Sequence, residues 1–287
     1  MQSRISLTLA ILAMALPYSS VQAQQDFSNV TIETVPVAGN ISMLVGSGGN
    51  IGVSAGEDGV LIIDDQYAPL SARIRAALAD LGSDSPQFVL NTHFHGDHTG
   101  GNANFGAGSV IVAHENVRMR LVSGGAPSVA LPVVTYDDDL SLYFNGEEIE
   151  VIYMPRGHTD TDSVVLFTNA NVIHMGDHFF NGGFPFVDLA NGGSVQGYID
   201  NLELALSWIQ DDTEIIPGHG PLATKADLLD FYNMIRDTST TIRVMKSQGM
   251  GVEAIVAEGL DPIYEPWGQG FINEQRWIET VFNSYAR

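Results

Sequence analysis

His93, His95, Asp97 and His98 put four metal-ligand side chains into six positions of the run Asn91, Thr92, His93, Phe94, His95, Gly96, Asp97, His98, Thr99, Gly100, Gly101. On an extended backbone alternate residues share a side, so His93 and His95 can reach one ion together. Gly96 then lets the chain turn, and Asp97 and His98 can point toward a second ion nearby. Neutral imidazoles and a carboxylate, with no thiolate, suit zinc best and also admit manganese, iron or cobalt. Three further ligand types stand alone: His158 in Arg156, Gly157, His158, Thr159; Asp177 in His174, Met175, Gly176, Asp177, His178; and His219 in Pro217, Gly218, His219, Gly220. Taken singly, each fits an ordinary turn residue beside a glycine. Each also follows a strand-like segment, as the first run does, and this shared position makes them candidates for one centre.

The strands that would position these residues read from apolar runs at Ile41–Val45, Asn50–Ala55, Val60–Ile63, Phe88–Leu90, Val110–Ala113, Leu140–Phe144, Ile149–Tyr153, Ser163–Phe167, Val172–His174 and Glu214–Ile216. Helices are expected at Ser71–Leu81, where Ile74, Ala77, Leu78 and Leu81 share a face, and at Val195–Ile209, where Val195, Tyr198, Ile199, Leu202, Leu206 and Ile209 do. Lys225–Gln248 and Phe271–Ala286 also read as helical. Strands at the centre with helices between and after them predict an α/β protein with helices outside the sheet.

Composition narrows the chemistry. With no cysteine in 287 residues, disulfides, thiolate nucleophiles and cysteine-ligated metal sites are excluded. The hydrophobic content of 45% can fill a real core. A net charge of −22 argues against nucleic acid and anionic lipid as partners; a small-molecule substrate is expected, and no protein partner can be inferred. Arg4, the apolar run Ile5–Leu16 and the small-residue site Val21, Gln22, Ala23 have the layout of a secretory signal peptide. About twelve apolar residues are too few to span a bilayer that needs roughly twenty. The expectation is a signal peptide over residues 1–23 and a single domain over 24–287, periplasmic or secreted, with no stable membrane anchor after cleavage.

The set His93, His95, Asp97, His98, His158, Asp177 and His219, with its spacings, resembles the metallo-β-lactamase superfamily over nearly the whole chain after the leader. The resemblance implies an αββα sandwich of two packed mixed sheets with helices on both outer faces. It also implies two zinc ions, with Mn2+, Fe2+ or Co2+ as substitutes. His93, His95 and His158 would hold the first ion, Asp97, His98 and His219 the second, and Asp177 would bridge them. Asp64, closing Gly59, Val60, Leu61, Ile62, Ile63, Asp64, is similar to the family's buried supporting aspartate. Such a pair would lower the pKa of a shared water so that a metal-bound hydroxide attacks a carbonyl, while Asp97 orients the nucleophile or passes a proton to the leaving group.

The stretch from Gly157 to Val165 and the run Leu189, Ala190, Asn191, Gly192, Gly193 look most like the β-lactamases that use a cysteine at the second ion, which makes a cyclic amide such as a β-lactam the expected substrate. Two positions depart from that pattern. Asp177 replaces the cysteine, and Phe180 stands where those enzymes hold a lysine for the substrate carboxylate. Losing that cation costs about 1.5–3 kcal/mol of binding unless Arg156 or another loop residue substitutes. His98 is shared with thioester hydrolases, lactonases and three-histidine lactamases. Lactone, thioester or phosphodiester hydrolysis is therefore the alternative, and a non-catalytic periplasmic zinc-binding protein a further one. Asn191 reads either as a hydrogen-bond donor to substrate or as a turn residue. Phe179, Phe180, Phe184 and Phe186 line a pocket or pack beneath the loop. His114, His174 and His178 are expected to be structural or surface residues, and Asp137–Asp139 a solvated turn.

Overall fold

A strand covered on both faces must send alternate apolar side chains into two different cores, and the central strands of this chain do so. The computed structural model describes residues 26–285, so the expected signal peptide lies outside the described residues. The first sheet holds seven strands in chain order: β1 (Glu33–Ala38), β2 (Ile41–Val45), β3 (Ile51–Gly56), β4 (Gly59–Ile63), β5 (Phe88–Asn91), β6 (Val110–His114) and β7 (Val134–Tyr136). β1 to β4 form an antiparallel meander, and β4 to β7 are parallel. The second sheet holds β8 (Asp139–Phe144), β9 (Glu147–Tyr153), β10 (Ser163–Phe167), β11 (Val172–His174) and β12 (Glu214–Ile216) in the order β12-β11-β10-β9-β8. It is antiparallel except for the pair β11/β12.

The helices are α1 (Ser71–Leu81), α2 (Gly96–Thr99), α3 (Asn102–Phe105), α4 (Glu115–Ser123), α5 (Val195–Trp208), α6 (Lys225–Ser247), α7 (Val252–Glu258) and α8 (Glu274–Ser284). Leu61, Ile63, Leu90 and Val112 of the first sheet meet Ile149, Val165, Phe167 and Ile216 of the second between the sheets. Their neighbours Ile62, Val89 and Ile111 turn outward onto Ile74 and Leu78 of α1. On the far side Val164, Ile173 and Ile215 pack under Tyr198 and Leu202 of α5, Phe231 of α6 and Trp277 of α8. Each such side chain contributes roughly 1.5–3 kcal/mol when fully buried. Three apolar layers separated by two sheets make the αββα sandwich that the sequence leads one to expect. Among the described residues no helix is long and apolar enough to cross a membrane.

All ten expected strands form, with ends shifted by at most two residues, and two more appear at the sheet margins. β1 carries Pro36, which is tolerated on an edge strand. β7 has three residues, two of them exposed. Neither presents the alternating burial that makes a strand visible in a sequence. α4 escapes notice because Val117 is the one buried residue among its nine. The closing helix begins at Glu274 rather than Phe271, because the Asn273 side chain accepts a hydrogen bond from Arg276 N and starts the helix there.

A buried histidine ties the two sheets together. His174 on β11 donates from Nε2 to Asn50 O, just before β3, at 3.1 Å, and its Nδ1 accepts from Gly176 N at 3.1 Å. Both nitrogens are thus used in the neutral form, and burial holds the pKa below the ordinary 6.5 although Asp64 pulls it up. A depressed histidine binds its proton more readily in the unfolded chain, so its stabilisation is present above pH 6.5 and lost as pH falls below it. Urea unfolding of chelator-treated protein at pH 7.5 and 5.5 should show a smaller acid loss for His174→Gln than for the parent; equal losses would remove His174 as the cause.

Candidate metal centre

Every expected ligand leaves the C-terminal end of a strand or the loop that follows it. Asn91 ends β5, His93 follows on extended backbone, and His95 precedes α2, whose first turn carries Asp97 and His98. His158 lies in the loop between β9 and β10, Asp177 follows β11, and His219 follows β12. The His158 turn is held by Asp162, which accepts from Thr159 N at 2.7 Å and Thr159 Oγ1 at 2.5 Å. Burial raises the Asp162 carboxyl to about 7 against the pull of those bonds. Thr161 Oγ1 accepts from Phe94 N at 3.2 Å and so fastens this turn to the His93–His95 segment.

The structure brings the ligand atoms into two groups, His93, His95, His158 and Asp177 in one and Asp97, His98 and His219 in the other, each within 4.8 Å. Asp177 stands between them. Its Oδ2 faces the first group, 3.4 Å from His158 Nε2 and 3.8 Å from His93 Nε2. Its Oδ1 faces the second, 3.0 Å from His98 Nε2 and 3.3 Å from His219 Nε2. Asp97 Oδ2 lies 3.4 Å from His219 Nε2.

Four of these imidazoles are anchored on their outer nitrogen, which fixes the inner one as a lone-pair donor. His98 Nδ1 donates to Asp64 Oδ2 at 2.7 Å, and His158 Nδ1 to Phe186 O at 2.7 Å. His95 Nε2 donates to Asp188 Oδ2 at 3.0 Å. Thr92 spends its hydroxyl proton on Asp64 Oδ2 at 2.7 Å, so it accepts from His93 Nδ1 at 3.0 Å. The inner nitrogens are left without hydrogen-bond partners of their own. His93 Nε2 and His98 Nε2 are buried and unsatisfied, as is Asp177 Oδ1. His95 Nδ1 and His158 Nε2 face each other at 2.8 Å, two lone pairs that need a cation between them. The donor set fits divalent metal.

Burial is the largest influence on the protonation of His93, His98, His158 and Asp177. It pushes His158 down to about 4 and His93 well below an ordinary imidazole, which keeps both neutral and able to ligate. Burial also opposes charge on His98, but Asp177, Asp97 and Asp64 outweigh it and raise that pKa. Asp177 pays for losing water, yet His98, His219, His158 and His93 together hold it well below the usual carboxylate range.

The centre forms the floor of a cleft of about 750 Å³ lined by His95, Asp97, Asp177 and His219 with Tyr67, Phe180, Phe184, Phe186, Phe271 and Ile272. The aromatic loop is thus divided: Phe179 is fully buried in the core under α6, while the other three reach the cleft. Phe180 stacks on His219, with ring centroids 5.0 Å apart. No lysine or arginine lines the cleft. Arg156 is exposed with φ 56° and is not brought to the cleft, so it does not stand in for the missing cation.

Asn191 is also outside the lining, because both ends of its amide are occupied. It donates to Asp188 Oδ2 at 2.7 Å and accepts from Arg120 at 2.7 Å, and Arg120 grips Asp160 with two bonds of 2.6 Å. Asn191 therefore acts on the centre through Asp188 and His95. Asp188, Tyr67, Phe271 and Ile272 are site residues that the sequence reading missed; Asp188 had a visible cue in its place three residues before Asn191, whose backbone N–H it caps. His114, His174 and His178 are all buried and hydrogen-bonded, outside both ligand groups, and Asp137–Asp139 is exposed.

Residues 44–219, more than half of the chain, match the family profile described as the metallo-beta-lactamase superfamily. A 2,4-dinitroanisole O-demethylase subunit alpha from Nocardioides sp. is 28% identical over 66% of this chain and 58% of its own length. A hydroxyacylglutathione hydrolase from Polaromonas sp. is 33% identical over 46% of this chain and 47% of its own. The chain thus spans about half the length of the curated relatives it matches. Among solved structures, a metallo-beta-lactamase from Pontibacter korlensis superposes with a TM-score of 0.63 at 16% identity, covering 72% of this chain and 99% of that one. DIM-1 metallo-beta-lactamase superposes with a TM-score of 0.61 at 19% identity, covering 73% and 99%. These likenesses show the fold, and the family match, carried by a segment that runs from β2 to His219, shows that the chain belongs to the metallo-β-lactamase superfamily.

Proposed function

We propose that the protein is an exported hydrolase holding two zinc ions, and that it cleaves the acyl C–O or C–S bond of an ester, thioester or lactone. The observation that carries this reading is Asp177, a buried carboxylate with one oxygen toward each of two groups of inward-facing ligand atoms. His93, His95 and His158 would hold the first ion, Asp97, His98 and His219 the second, with Asp177 shared. When bound, such a pair would lower the pKa of a water toward about 7 and polarise a carbonyl.

The chain's own residues supply the rest. Asp97 is the more open of the two ligand carboxylates, its side chain 23% exposed against 5% for Asp177, so its oxygen turned away from the ion would be placed to take the nucleophile's proton and return it to the leaving group. Tyr198 donates to the Asp177 carbonyl at 2.6 Å and steadies the backbone that carries the shared ligand. Phe180 and Phe186 exclude water from one side of the centre.

A cyclic amide such as a β-lactam takes second place. Its carboxylate needs a cation, and the cleft offers neither Lys nor Arg. Relatives named hydroxyacylglutathione hydrolase, 33% and 30% identical, support a thioester or ester over an amide. Export is supported by the leader layout of residues 1–23, which leads to the periplasm or the exterior.

Elemental analysis should find two equivalents of zinc in the parent and fewer in His95→Ala and His219→Ala; two equivalents in both variants would overturn the ligand assignment. Asp64→Ala and Asp188→Ala should each weaken zinc roughly ten- to a hundredfold in chelator competition, with the fold intact by circular dichroism, since each removes the anchor of a ligating imidazole. A panel of acyl lactones, thioesters, carboxylic esters, nitrocefin and bis-p-nitrophenyl phosphate, run with and without zinc, should show zinc-dependent turnover concentrated in the first three. Turnover confined to nitrocefin would restore the β-lactam reading, and none at all would leave a zinc-binding protein.

A further inference from the structure

We infer that the cleft selects an uncharged, apolar acyl group and that Phe271, at the mouth, clamps it; this rests on the hydrolase reading for its reaction but not for its binding. The rings stand in order of depth. Phe180 lies against His219, and Phe186 is 5.8 Å from the His95 ring and 5.7 Å from the His158 ring, so whatever is attached to a carbonyl at the centre meets aromatic faces first. Phe184 is 2% exposed and stacks on Trp277, which makes it fixed wall. Phe271 is different. It is 76% exposed although it lines the cleft, and it meets Phe186 edge-on at 6.2 Å. A large aromatic left in water at the rim gains burial when an apolar chain lies across it.

The segment bearing Phe271 is held in place. Phe184 N donates to Trp267 O at 2.8 Å, which ties the aromatic loop to the turn preceding residue 271, and Ile272 beside it is 2% exposed. The clamp is therefore a side chain on an anchored backbone.

Charge points the same way. The lining acids Asp97 and Asp177 would be taken up by the ions at the floor, and no lysine or arginine stands farther out along the lining to receive a second charge. A carboxylate at the far end of a substrate would lose water and gain no partner, at a cost of roughly ten- to a hundredfold in affinity. Arg276 sets its guanidinium 5.2 Å from the Phe271 centroid but is not part of the lining.

Two ester substrates of equal length test this: 4-nitrophenyl hexanoate and mono-4-nitrophenyl adipate, which differ in a terminal methyl against a carboxylate. The zinc-loaded protein should turn over the hexanoate with kcat/KM at least tenfold above the adipate. Phe271→Ala should lower the hexanoate value several-fold more than the 4-nitrophenyl acetate value, and Phe271→Lys should narrow the hexanoate-to-adipate ratio. Residue 271 is exposed, so neither variant threatens folding. Binding is read separately with two inert ketones, heptan-2-one and 6-oxoheptanoate, displacing the neutral fluorophore N-phenyl-1-naphthylamine. Preferential displacement by heptan-2-one, lost in Phe271→Lys, supports the inference even if neither ester turns over, a result that would count against the ester part of the hydrolase reading alone. Equal turnover and equal displacement within each pair overturn the inference, as does an adipate preference that Arg276→Ala abolishes.

Discussion

A carboxylate almost cut off from solvent is the constraint on which the structure turns. Asp177 is buried, and burial alone would push its carboxyl toward the protonated form. It keeps its charge because His98 and His219 stand on one side and His158 and His93 on the other. Those partners come from both sheets, so the carboxylate meets them only when the sandwich is closed in register. Gly218 and Gly49 follow from the same crowding: a Cβ at 218 would run into Asp177 Oδ1 and one at 49 into the His98 ring.

The histidines are useful because each is gripped from behind, and those grips reach into the body of the fold. Asp64 accepts from Thr92 N, Thr92 Oγ1 and His98 Nδ1, and it holds φ 65°, a left-handed conformation that costs of order 1–3 kcal/mol in a residue with a side chain. Three hydrogen bonds to one buried carboxylate offset that strain. On the opposite side the chain Arg120, Asn191, Asp188, His95 runs from the protein surface to the centre without a break. Its outer end is locked by the paired bonds of Arg120 to Asp160.

What could be read from the sequence was local. The His93–His98 run was legible because period two followed by a glycine turn is a rule that operates over six residues. The two-core strands β4, β5 and β10 were legible because burial on both faces leaves unbroken apolar runs. The margins were not: β1 and β7 are largely exposed, and exposure erases the pattern. Asn191 and Arg156 look equally available to a substrate in the sequence, but one has its amide occupied by Asp188 and Arg120 and the other faces solvent. The cleft wall was the least legible part. It joins Tyr67, the loop from Phe180 to Phe186 and the pair Phe271 and Ile272, segments that meet only after α5 to α8 have packed.

The division of ligands between the two sheets has a consequence for the life of the protein in a cell. His93, His95, Asp97 and His98 follow a strand of the first sheet, while His158, Asp177 and His219 follow strands of the second. Any ion held by both sets is a staple across the sandwich, and it adds about 4 kcal/mol of stability once free metal exceeds its dissociation constant a thousandfold. The same staple would be missing in a chain that folds where metal is scarce, and the strand ends it joins would then open to proteases. Metal supply would in that way govern how many copies persist, as well as how many work.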